Sequence, residues 1–155
     1  MLKDNMTLKI IFTDEKNEDF ISLAKKLWDE YVEISGDTVK EYQKFNNLEG
    51  EHFVILVFDN DKAVACGSFK KFSKDTVEIR RVFVDKEYRR RKLAFYIMGN
   101  LEKIAKEKGY SYAVLETGAK NEVSKKFYKR LNYTIVGNFE PFKGMLSCLC
   151  MKKKL

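Results

Sequence analysis

The chain has 155 residues, 45% of them hydrophobic and 14% aromatic, with a single proline and eight glycines. That is enough apolar mass for one core, too little chain for two ordinary domains, and not the composition of a long disordered tract. A net charge of +7 calls for an anionic partner without choosing among nucleic acid, a membrane surface and a phosphorylated ligand.

Other classes fall away on residue counts. No apolar run approaches the ~18 residues of a membrane span. Three cysteines, Cys66, Cys148 and Cys150, do not pair completely, and the N-terminal stretch carries no apolar signal core. A reduced, cytoplasmic protein is expected. With one histidine in the chain, a zinc site lacks ligands, and no metal is expected.

In chain order, Leu8 to Phe12 reads as a short strand. A helix follows, with Phe20, Leu23, Ala24, Leu27, Tyr31 and Ile34 at helical spacing. Asp37 and Thr38 are capping candidates for a second amphipathic segment, Val39, Tyr42 and Phe45, closed by Gly50. His52 to Phe58 and Lys62 to Lys70 are strand-like runs separated by Asp59, Asn60 and Asp61, a hairpin signal, and a turn at Ser73 to Asp75 leads into a strand from Thr76 to Val84. Leu93 to Lys106 is the best helix, with Leu93, Ile97, Leu101, Ile104 and Ala105 on one face and Gly109 where it would stop. Tyr112 to Thr117 is a strand, and Glu122 to Leu131 a short helix with Val123, Phe127 and Leu131 inward. Tyr133 to Val136 and Leu146 to Met151 are the last strands, with Pro141 and Gly144 between them. The order predicts an α/β (α+β) domain over residues 1–155, core about 7–153. Its mixed, mostly antiparallel twisted sheet of about six or seven strands is flanked by about four helices, and one strand–helix–strand crossover makes a local parallel pair.

The chemistry concentrates between Val77 and Ala94, VEIRRVFVDKEYRRRKLA. A β-rich run with one acid, Glu78, gives way to a loop and then to cations that open the best helix. Such a junction holds anions, because first-turn N–H groups lack internal partners and the helix dipole adds partial positive charge. A basic run by itself is more often a solvated face, and it is the position after the strand and before the helix that favours a phosphate site. Strand alternation puts Glu78 on one face with Arg80, Val82 and Val84, where an ion pair with Arg80 or Lys70 is the bland reading. No aromatics interleave with the basic block as stacking platforms, so nucleic acid is not the favoured partner. His52 reads as polarity at a strand edge, with no nucleophile and acid to make a triad. Cys66 reads as a small buried apolar residue.

With these pieces in place, EIRRVFVDKEYRRRKLA and LETGAKNEVSKKFYKRLNYTIVG resemble the GNAT superfamily of N-acetyltransferases over nearly the whole chain. The resemblance implies an acetyl-CoA-dependent transferase that needs no metal. Its loop pattern, Q/R x x G x G/A, places Arg89 at Q/R, Lys92 at the first glycine and Ala94 at G/A, and Arg90 also stands where many members carry glycine. It implies that Arg89, Arg90, Arg91, Lys92, Leu93 and Ala94 hold the pyrophosphate, and that the strand at Val82, Phe83 and Val84 holds the pantetheine arm by its backbone. Asn121 would contact the same arm, and Ser124 the nucleotide end. Glu78 is implied as general base and Tyr128 as general acid toward the departing thiolate. Asn132 stands where glycine is common and tolerates left-handed backbone. The expected acceptor is a small molecule with a primary amine, or an amino-acid-like one. Phe20 to Phe45 and Gly137 to Gly144 would wall its pocket, with Trp28, Tyr31, Tyr42, Phe139 and Phe142 available as lining. A homodimer is left open, and a non-catalytic acyl-CoA-binding sensor of the same fold is the alternative function.

Overall fold

The computed structural model describes residues 8–36, 39–45 and 50–155. The capping candidates Asp37 and Thr38 lie outside the described residues. The elements run β1 (Leu8–Asp14), α1 (Glu18–Ser35), α2 (Val39–Gln43), β2 (Phe53–Asp59), β3 (Lys62–Ser73), β4 (Thr76–Val84), α3 (Leu93–Glu107), β5 (Tyr112–Gly118), α4 (Glu122–Arg130), β6 (Thr134–Val136) and β7 (Cys148–Lys154). One seven-stranded sheet has the order β1-β2-β3-β4-β5-β7-β6, with β4 and β5 parallel, so the α/β class and the mixed sheet are as expected. By its contacts the chain forms two compact units, Met1–Lys70 with Arg80–Leu101, and Lys71–Ile79 with Glu102–Leu155.

In the first unit, α1 starts because Asn17 caps it, its side-chain oxygen accepting from the N–H groups of Asp19 and Phe20 at 2.9 and 3.1 Å. Glu18 and Asp19 suit the positive end of the dipole. Phe20 and Leu23 then pack on Val54, Leu56, Cys66 and Phe83, and each fully buried side chain of this size is worth about 1.5–3 kcal/mol. Ile34, expected on the inner stripe, is 85% exposed, since the buried residues of α1 end at Ala24. The hairpin β2–β3 turns at Asn60 and Asp61, with Asn60 left-handed at φ 53°, a conformation its short polar side chain tolerates. On the other face α3 lies so close to β3 that a Cβ at Gly67 would come within 2.4 Å of an Ile97 methyl. His52 is buried rather than at an exposed edge, because its backbone N–H donates to the Glu15 carboxylate at 2.9 Å and its ring lies 3.5 Å from the Ser68 hydroxyl.

In the second unit, β5 pairs with β7 along its length and with β4 over Thr76–Glu78 against Tyr112–Val114. The end of α3 is closed by Gly109 at φ 96°, with the Tyr110 N–H returning to the Ala105 carbonyl at 3.1 Å. Below it Glu102 accepts from the buried Tyr133 hydroxyl at 2.8 Å and from Lys153 at 2.6 Å. The connection from β6 to β7 is organised by one amide: Asn138 donates to the carbonyls of Phe142, Met145 and Cys148 at 3.0–3.2 Å. The last strand starts at Cys148 instead of Leu146, which is 95% exposed. Val123 is likewise exposed, at 81%, although its spacing placed it inward on α4.

Candidate active site

The first unit carries the loop between β4 and α3. Asp85 caps a 3₁₀ turn, Lys86–Tyr88, and the chain then passes through Arg90 at φ 64° and Lys92 at φ 61° before α3 begins. Both side chains are exposed, so they point away from the backbone path. Left-handed backbone costs an L-residue about 1–2 kcal/mol. The loop thus keeps the path of a glycine loop at the two positions where glycine is missing. Among the described residues, the N–H groups of Lys92, Leu93 and Ala94 donate to no protein acceptor, and they open a 15-residue helix. This donor set suits a pyrophosphate: unpaired amides, the positive end of a helix dipole and four consecutive cations.

Those cations are not equivalent. Arg89 is committed: its Nε donates to the Val84 carbonyl at 2.8 Å and its Nη2 lies 2.7 Å from both carboxylate oxygens of Glu30 on α1. Arg91 lies over the Tyr88 ring, 5.1 Å from its centroid. A second tie, Lys26 to Asp85 at 3.2 Å, joins α1 to the same loop. Burial works to raise the Asp85 carboxyl, but the hydrogen bond and charge of Lys26, the Lys86 N–H and the Lys62 charge together outweigh it and the net shift is downward.

The strand before the loop departs from simple alternation. Arg81 sits at φ 56° within β4, and the interruption reverses the faces beyond it. Phe83, rather than Val82, joins the core beside Phe20 and Cys66, whereas a Val82 methyl would meet a Cβ at Gly67 beside Ile97 and Leu101. The expectation that Val82 and Val84 share the face of Arg80 is corrected accordingly. Since the Phe83 side chain is core, only its backbone is available to a ligand.

The second unit carries the two residues implied as acid and base. Glu78 is buried, 7% exposed, which removes the reading of an ion pair on a wet face. In the parallel ladder it faces Val114, and in the antiparallel ladder Glu116 faces Cys150, so Glu78, Glu116 and Cys150 share one face of the sheet. Burial pushes the Cys150 thiol up to about 11, and the carboxylates of Glu116 and Glu78 act in the same direction. Tyr128 packs edge-on against Phe127 and Tyr133, and its hydroxyl has no hydrogen-bond partner among the described residues. Burial raises its phenol above the usual range, and Glu116 raises it further. Asn121 caps α4 by accepting from the Ser124 N–H at 3.0 Å, which leaves its side-chain amide to donate elsewhere. Asn132 follows α4 at φ 71°, the left-handed turn expected of it.

Glu30 and Glu116 were not among the implied site residues. Glu116 lay in the matched segment but had no assignable role, and no local pattern links Glu30 to a loop 59 residues away. Cys66 is fully buried, and burial pushes its thiol up to about 12, so it is no nucleophile. No group of metal-ligating side chains is found among the described residues, and no helix there is long and apolar enough to cross a membrane.

The fold, the phosphate-type loop and the paired motifs define a class. The chain belongs to the acetyltransferase (GNAT) family, whose model matches residues 20–133. It is accordingly an acyl-transferring enzyme, an N-acetyltransferase. It is 27% identical over 132 residues to YyaT, an uncharacterized protein of Bacillus subtilis (strain 168), covering 84% of each chain. Among solved structures it resembles a protein of Klebsiella pneumoniae assigned as an acyl-CoA N-acyltransferase, with a TM-score of 0.77 and 22% identity over 97% of this chain and 99% of that one. It also resembles the PaiA N-acetyltransferase of Thermoplasma acidophilum, solved in complex with coenzyme A, with a TM-score of 0.75 and 19% identity over 97% of this chain and all of that one.

Proposed function

We propose that the chain, as one domain, moves the acetyl group of acetyl-CoA to the primary amine of a small or amino-acid-like acceptor by direct attack. The observation that carries this reading is the loop before α3, where Arg90 and Lys92 hold left-handed backbone and three amides stand unpaired among the described residues. These amides, with Arg91 and the side chains at its rim, take the pyrophosphate. Backbone groups of Val82, Phe83 and Val84 and the free amide of Asn121 hold the pantetheine arm, and Ser124 lies toward the nucleotide.

An alkylammonium must lose a proton before its nitrogen can attack, and Glu78 or a water bound to it accepts that proton. The amine nitrogen then forms a bond to the thioester carbonyl carbon. Backbone amides following Val82 support the oxyanion, much of the rate arising from orientation and fixed dipoles. As the carbon–sulfur bond breaks, Tyr128 gives its phenolic proton to the thiolate. A raised phenol is protonated at neutral pH, as a general acid has to be.

The alternative, an acyl-CoA sensor without turnover, would use the same loop, and acetylated product formed from a panel of amines separates the two. Calorimetry with acetyl-CoA tests the reading. Binding by the wild type, weakened by more than ~10-fold in Arg89→Ala, is expected. A wild type that binds no acetyl-CoA would sink it.

A further inference from the structure

Arg80 is a half-buried guanidinium with little to do. Its one side-chain hydrogen bond is a long one, Nη2 to the Phe45 carbonyl at 3.3 Å, and among the described residues no carboxylate lies within ion-pair distance. A guanidinium carries five N–H donors in a fixed fork that matches a carboxylate, and a cation held out of water is normally paired.

The residue is also held in place. The Ser68 hydroxyl donates to the Arg80 carbonyl at 2.8 Å, and Ser68 itself is packed against the buried His52 ring. The bond of Nη2 to the Phe45 carbonyl aims the guanidinium at the end of α2. There the Phe45 N–H bonds back to the Tyr42 carbonyl at 2.9 Å, Tyr42 sits edge-on to Tyr31 at 5.4 Å, and Tyr31 stacks on Trp28 at 5.3 Å. A half-buried cation without a carboxylate partner among the described residues thus reaches the end of α2, where Tyr42 begins a run of aromatic rings, on the strand that carries Glu78 two residues earlier.

We propose that Arg80 binds the carboxylate of the acceptor, so that the acceptors are free α-amino acids with apolar side chains rather than simple amines. The inference rests on the N-acetyltransferase reading and names the acceptor class for it. The fork takes the carboxylate, the aromatic wall takes the side chain, and the α-amine is left to be deprotonated and acylated.

The test compares phenylalanine, phenylalaninamide and phenethylamine, and the same sets for leucine and methionine, in wild type and in Arg80→Gln. Glutamine keeps an amide donor for the Phe45 carbonyl but has no charge. In the wild type, kcat/KM for at least one acid is expected to exceed that of its amide by about 10- to 100-fold, the range of a charge-assisted hydrogen bond. In Arg80→Gln that preference collapses, while the amide and the amine stay within about 3-fold of wild type. Calorimetry of the acid against the CoA complex should show the same loss of binding. Should Arg80→Gln not fold, the wild-type acid-to-amide ratio and Arg80→Lys decide instead. Equal or better turnover of the carboxylate-free compounds by the wild type, or an equal loss for all compounds in the variant, overturns the proposal and leaves the transferase reading intact. The absence of both amine acetylation and acetyl-CoA binding overturns the transferase reading itself.

Discussion

The Arg89 guanidinium and the Glu30 carboxylate meet with both oxygens 2.7 Å from one nitrogen, joining the loop before α3 to the helix α1. Glu30 therefore competes with a phosphate for the same cation. Removing its charge should strengthen CoA binding. Glu30→Gln is expected to lower the CoA dissociation constant about 3- to 10-fold, the worth of roughly 1 kcal/mol for a partly exposed pair. Titration by calorimetry at low and moderate salt measures this, and a Glu30→Gln protein that binds CoA more weakly would show that Glu30 shapes the loop instead.

The left-handed backbone at Arg90 and Lys92 leads to a second expectation. Glycine has no Cβ to crowd the carbonyl there, and its larger unfolded-state entropy offsets part of the gain. Arg90→Gly and Lys92→Gly should each leave stability unchanged or raise it by up to about 1 kcal/mol. Lys92→Pro fixes φ near −65° and removes an N–H, whereas the native φ is +61°. CoA binding should be lost in that variant even though it retains Arg89, Arg90 and Arg91. Thermal melts with CoA titrations separate the two effects, and proline tolerated without loss would mean that the amides are not the grip.

How far the sequence carried is visible in these elements. The strand Thr76–Val84 and the start of α3 at Leu93 follow from alternation and helical spacing, and the loop between them was legible from its context. What alternation missed was Arg81: no glycine or asparagine marks the left-handed residue that exchanges Val82 and Phe83 between faces. Val123 kept helical spacing but lies in the first turn of the nine-residue helix α4 and is exposed. The Arg89–Glu30 bond joins distant parts of the chain, and charge pairs of that kind leave no periodic trace. That Glu78 is buried instead of facing water depended on the neighbouring strands, which alternation along its own strand does not reveal.

Gly67 tests the packing of α3 on the sheet. A methyl there would lie 2.4 Å from an Ile97 carbon and 3.1 Å from one of Leu101, both fully buried. Gly67→Ala forces these side chains to shift within a filled core, and about 1–3 kcal/mol of destabilisation is expected, read as a lower urea midpoint at unchanged slope. Adding Ile97→Leu, which keeps the side-chain volume but has no γ2 methyl to meet the new Cβ, should recover part of the loss. If Ile97→Leu lowers stability further by the increment it shows alone, the contact is not where the strain resides.

Tyr128 and Tyr133 give the protein a pH dependence whose sign is fixed. Burial raises both phenols above their ordinary value, with Glu116 adding to the shift of Tyr128 and Glu102 to that of Tyr133. Below about pH 10 both tyrosines are neutral folded or unfolded, and their contribution is constant. Above it the unfolded chain releases phenolic protons that the folded chain retains, so the folded state binds more protons and stability falls as pH rises. Each tyrosine contributes a slope of about 1 kcal/mol per pH unit in that window. Tyr128→Phe should therefore flatten the fall of the urea midpoint between about pH 10 and 11. At pH 7.5 the same variant should bind CoA normally, with kcat reduced about 10- to 100-fold for want of a proton donor to the thiolate. An unchanged kcat combined with a flattened alkaline limb would leave Tyr128 a packing residue and pass the proton to water.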